Sequence, residues 1–180
     1  MDVLAAWWQT QPGGFCLQDL VTDTCFQQYE YPLQYVPSPC GTGGSDAIYF
    51  SPTAASYWAA QVASADFIVL AHEWGHRVQF AAGGLPPNKA TELAADCLAG
   101  VFFGGYDTFA GFTHEDLLYD TMCAIGDPGY SAWWQGTHGV CDERVCAVAE
   151  GYAAGVEDPL CDPEVSVAFC LQVAAICAQS

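Results

Sequence analysis

Two pairs of polar side chains, each spaced four residues apart within apolar sequence, constrain this chain more than any other feature. The first pair lies in His72-Glu73-Trp74-Gly75-His76; the second is Glu92 and Asp96, within Lys89-Ala90-Thr91-Glu92-Leu93-Ala94-Ala95-Asp96-Cys97-Leu98-Ala99-Gly100. On an α-helix, positions i and i+4 stack on one face, so each pair sets two polar groups one turn apart. Buried polar groups need partners, and two stacked carboxylates need a counter-charge. Two neighbouring helices converging on one cation meet both demands.

The flanks support helices. Phe67-Ile68-Val69-Leu70-Ala71 is an apolar run without a breaker, with Ser64 or Asp66 as a cap. The pattern continues through Val78, Gln79 and Phe80 and stops at Gly83-Gly84, where Pro86-Pro87 forbids continuation. The second helix starts after Asn88, is rich in Ala and Leu, and is expected to stop near Gly104-Gly105.

His72 and His76 can then reach one metal ion, with Glu73 one residue on and aimed at a water. Two neutral nitrogen donors, an open position and an adjacent carboxylate base are what a zinc hydrolase needs. The pentad arises by accident in roughly one chain in 250 of this composition. The competing reading, two surface histidines on an ordinary helix, fits the apolar flanks poorly. Glu92 supplies the third ligand, and Asp96 accepts the free ring N–H of a ligating histidine, His72. A longer motif with a third histidine would need Gly at 79 and His at 82; those positions hold Gln79 and Ala82.

His72-Glu73-x-Gly75-His76-x-Val78-Gln79 followed by Glu92-Leu93-x-Ala95-Asp96-Cys97-x-Ala99-Gly100 resembles the neutral zinc metallopeptidase family of bacteria. The likeness continues in Asp46-Ala47-Ile48-Tyr49-Phe50, Ala124-Ile125-Gly126-Asp127, Thr137-His138-Gly139, Arg144 and Gly151-Tyr152-x-x-Gly155, so it covers residues 46–162. It implies a zincin-like peptidase in which His72, His76 and Glu92 bind zinc and Glu73 is catalytic. Val140 and Cys141 depart from it, standing where the family tends to carry small hydroxyl residues.

His138 is a candidate donor to the oxyanion of a tetrahedral intermediate, set against a loop or capping role. Thr113 and Asp116 have capping-box spacing, which puts His114 at the surface.

Ten cysteines argue for an oxidising compartment. They allow about 945 pairings, so sequence does not choose among them. Cys170 with Cys177 is excluded, because seven helical residues separate them by ~10 Å. The start, Met1-Asp2-Val3-Leu4, lacks a basic leader region, so the expectation is a secreted protein whose leader is absent from this sequence. Twenty-one acids face only Arg77, Lys89 and Arg144, a formal charge of −18. Such a surface repels nucleic acid and anionic membranes, and no apolar run is long enough to span a bilayer. Calcium would suit so acidic a surface, but no motif supports it; zinc is the expected cofactor. With cations so scarce, Arg77 and Arg144 are expected to have carboxylate partners.

The expected fold is α+β and mainly helical, a zincin-like single domain over residues 1–180. Residues 1–45 form a loop-rich, disulfide-tied segment carrying cysteines and aromatics, 46–162 the core, and 163–180 a C-terminal helix. A short edge strand spans 46–51, and further helices span 53–63, 113–125 and 142–154. Asp162-Pro163-Glu164 starts the last helix, which ends near Cys177. Tyr130, Trp133 and Trp134 are expected to serve core packing, set against lining a pocket. The function expected is that of a secreted zinc peptidase acting on peptide or protein substrates, with Glu73 as general base. The rival is a silent zincin scaffold serving as an extracellular structural or binding subunit. A thiol hydrolase built on Cys141 and His138 is set aside, because Cys141 is more simply half of a disulfide.

Overall fold

The computed structural model describes residues 33–36, 47–50, 60, 65–83, 86, 88–110, 113–125, 138–157 and 163–179. Among these, five helices dominate: α1 (Ala65–Ala81), α2 (Lys89–Ala110), α3 (Glu115–Ala124), α4 (Cys141–Glu157) and α5 (Pro163–Cys177). Two short strands, β1 (Leu33–Val36) and β2 (Ala47–Phe50), pair antiparallel with Leu33 opposite Phe50 and Val36 opposite Ala47. β2 lies within the stretch read as a strand. β1 lies in the segment read as loops; Pro32 and Pro37 bracket its four residues and leave too short a run to show a period.

Helix α2 is the hub, with α4 laid along it and α1 and α5 packed on its other sides. Leu93, Ala94, Ala95, Leu98, Ala99, Val101, Phe102 and Phe103 are all buried, so α2 is apolar around its circumference, as expected of a central helix. Its start follows the expected chemistry: the Asn88 side chain accepts the Thr91 backbone N–H at 3.1 Å, an N-cap bond.

The end of α2 differs from expectation, because the helix runs on through Gly104-Gly105 to Ala110. The reason is the crossing with α4. A Cβ built on Gly100 would lie 2.2 Å from the Val148 carbonyl oxygen, and one on Gly104 2.2 Å from that of Tyr152. Gly151 and Gly155 reciprocate against the carbonyls of Cys97 and Val101, at 2.0 and 2.2 Å. The two backbones touch through four glycines spaced four apart on each helix. Burial at this seam outweighs the ~1 kcal/mol by which glycine disfavours a helix.

Among the described residues three disulfides hold the bundle: Cys97–Cys170 joins α2 to α5, Cys146–Cys177 joins α4 to α5, and Cys123–Cys141 joins the end of α3 to the start of α4. Cys170 and Cys177 thus bond to different helices. Cys16, Cys25, Cys40 and Cys161 lie outside the described residues, as does the expected disulfide-tied N-terminal segment apart from β1. So do Tyr130, Trp133, Trp134 and, apart from helical Ala60, the helix expected over 53–63.

At α3 the capping box does not form. His114 is the N-cap, without a side-chain cap bond. Its backbone N–H donates instead to Asp107 Oδ2 at 2.6 Å, its ring Nδ1 meets Asp107 Oδ1, and the Tyr152 hydroxyl donates to the same carboxylate at 2.8 Å. Asp107 is buried, so it needs these donors, and His114 is half-buried rather than a surface residue. Among the described residues, no helix is long and apolar enough to cross a membrane.

Candidate metal centre

Helices α1 and α2 meet at Gly75. A Cβ there would stand 2.7 Å from the Ala95 carbonyl oxygen and 3.0 Å from its Cα, so only glycine lets the helices approach this closely. The contact sets the histidine turn of α1 against the carboxylate turn of α2. His72 Nε2 and His76 Nε2 each lie 3.3 Å from the same oxygen, Glu92 Oε2. The three potential ligand atoms are all within 4.8 Å of one another, and the two imidazoles stand nearly perpendicular at 85°.

These positions fit a divalent cation. Donors placed tetrahedrally at about 2.0–2.1 Å from zinc are separated by about 3.3–3.4 Å, which is the spacing from Glu92 to both rings. The rings are also turned the right way. Asp96 Oδ1 lies 2.7 Å from His72 Nδ1, so that nitrogen carries the proton and donates. Gln79 Nε2 donates to the Thr91 carbonyl at 2.9 Å, which fixes the amide with Oε1 toward His76 Nδ1 at 3.1 Å. Both Nδ1 atoms therefore donate outward, and both Nε2 atoms are left facing Glu92. Positive charge is needed between them and the carboxylate, as a proton on the rings or as a cation.

The ionisation pattern likewise favours positive charge at this place. Burial alone would lower the His72 pKa, but Asp96, through charge and hydrogen bond, and then Glu92 outweigh it and raise it to about 10. Burial alone would raise Glu92; the bonds from His72 and His76 hold it far below the usual carboxylate range. Asp96 follows the same logic: burial raises it, while Arg144 above all, and then His72, pull it down. A cation held between the rings would compete with the His72 proton, so its binding would weaken as pH falls.

Behind the rings, Arg144 is 2 % exposed, and it donates from Nε to Asp96 Oδ2 at 2.7 Å and from Nη2 to Oδ1 at 2.6 Å. Its Nη1 donates to the Ile125 carbonyl at 3.1 Å. The carboxylate partner expected for Arg144 is therefore Asp96. Glu143, one residue earlier on α4, accepts the Val140 backbone N–H and pairs with Lys89 at 2.6 Å, tying the start of α4 to that of α2.

His72, His76 and Glu92 thus come together, with Asp96 directly behind His72. Glu73 is buried on α1 at 9 % exposure. His138 approaches from the segment before α4, its Nε2 3.8 Å from Glu92 Oε2 and its side chain about one-third exposed. No protein-family model, curated protein or solved structure matches this chain.

The role of Gln79 escaped the sequence reading, although an acceptor three residues beyond a ligating histidine is a usable signal. Replacing Gln79 by Leu is expected to weaken zinc binding about tenfold or more, by freeing the His76 ring. Gln79→Glu, which keeps the acceptor but loses the bond to Thr91, should recover most of the affinity. Competition with a chromophoric chelator measures both; a Leu variant binding zinc as tightly as the wild type contradicts the role.

Proposed function

We propose that the chain is a zinc-dependent peptidase, related to the neutral zinc metallopeptidase family it resembles and acting outside the cell. The observation carrying this reading is the pair of 3.3 Å separations from one Glu92 oxygen to two oriented imidazoles, with Glu73 on the same turn of α1. A zinc ion held there would supply Lewis-acid activation of water and of the scissile carbonyl.

The chain's own residues do the rest. Glu73, buried beside the first ligand, takes the proton of the attacking water and delivers it to the leaving amine. His138 donates from Nε2 to the carbonyl oxygen as negative charge grows there. Asp96 and Gln79 keep the ligand rings from turning, and Arg144 keeps Asp96 ionised. The three disulfides among the described residues, and four further cysteines, suit an oxidising extracellular setting.

The test is hydrolysis of an unstructured protein substrate by purified chain. Activity should vanish with a chelator and return on adding zinc. Chelator-insensitive cleavage, or none with zinc loaded, overturns the proposal.

A further inference from the structure

Resting on that reading, we infer that the site is selective by charge: it takes cationic polypeptides and cuts them at bonds remote from the C-terminal carboxylate.

Holding a substrate carboxylate in a partly buried cleft takes a fixed cation, usually an arginine whose paired N–H groups match the two oxygens. The whole chain has three Lys and Arg side chains. Arg144 is buried, with its donors on Asp96 and Ile125. Lys89 is held by Glu143, and Arg77 is half-buried and also engaged. Of the four histidines, two face Glu92 as candidate ligands and His114 is bonded to Asp107. The fourth, His138, has its Nε2 3.8 Å from Glu92 Oε2, a carboxylate of the chain itself.

Each lysine and arginine side chain thus already has a partner within the chain, so none is set aside to anchor a C-terminus or an acidic side chain. The opposite charge is abundant. Twenty-one acids give a formal −18, and Asp142, exposed on the first turn of α4, stands four residues from His138. A field of that sign concentrates cationic chains around the protein and repels acidic ones, by about 10-fold or more at low ionic strength. Salt screens it, with a Debye length near 3 Å at about 1 M.

Three N-acetylated peptides with one central sequence, flanked by Lys, Gln or Glu and each made as C-terminal amide and free acid, test this on the zinc-loaded full chain. The Lys-flanked peptide should exceed the Glu-flanked one in kcat/KM by about tenfold or more at low salt, shrinking to within about threefold near 1 M NaCl. Amides should be cut at least as fast as free acids. Equal or faster cleavage of the Glu-flanked peptide, or a gain from a free carboxylate close to the cut, overturns the inference. Binding of the same peptides to zinc-loaded Glu73→Gln separates the two layers. Charge-selective binding without cleavage by the wild-type chain keeps the selectivity and removes the peptidase reading; neither cleavage nor selective binding removes both.

Discussion

Glu73→Gln is expected to lower kcat for peptide hydrolysis by about 10³-fold while the chain keeps its zinc. The substitution preserves volume and hydrogen-bonding reach but removes the capacity to accept a proton at neutral pH. Glu73 is not among the three atoms that converge at Glu92 Oε2, so the metal site should survive the change. Three readouts are needed together: bound zinc, peptide affinity and turnover. A variant with zinc bound, peptide bound and turnover lost isolates proton transfer. A variant with zinc bound and wild-type turnover rules out Glu73 as the base and shifts the search to other groups near the cleft.

Arg144→Leu is the second large effect, and its readout is stability. The substitution leaves Asp96 fully buried, with His72 as its remaining charged partner. Stranding one partner of a buried, hydrogen-bonded pair costs about 3–5 kcal/mol. Removing Asp96 as well, in Arg144→Leu with Asp96→Leu, should be milder, because the buried carboxylate is gone and His72 keeps Glu92 as a charged partner, at the cost of the Nδ1 acceptor. The pH dependence follows from the depressed Asp96 pKa. A carboxylate whose folded pKa lies below its unfolded value stabilises the fold above about pH 4, and that contribution is lost as pH falls further. Urea unfolding with disulfides intact and chelator present measures these differences; a loss below about 1 kcal/mol for the single variant contradicts the account.

Much of the candidate metal centre was legible because helical spacing is a strict ruler. His72 with His76, and Glu92 with Asp96, could share a face only on helices, and the apolar flanks made those helices buried. The Asp96 contact to His72 followed from the need of a ligating ring for an acceptor. Less legible were features that depend on what lies across an interface. Gly104-Gly105 read as a stop because local propensity says so; the close approach of α4 reverses it, and the Gly-x-x-x-Gly spacing in both helices was the available signal. His114 went wrong for a similar reason, since its partner Asp107 lies in the preceding helix and the Thr113 capping pattern is purely local. Disulfide pairing was closed to sequence reasoning because it depends on which helix faces lie within Cα reach. Gln79 was noticed as a motif residue, but its use required knowing that Thr91 takes its amide N–H.

The most direct measurement is zinc bound per chain after dialysis, by elemental analysis, in the wild type and in Glu92→Ala. One zinc per wild-type chain, lost or greatly weakened in the variant, is expected if His72, His76 and Glu92 share a cation. A wild-type chain that retains no zinc, or a Glu92→Ala chain that retains it equally, would contradict the assignment.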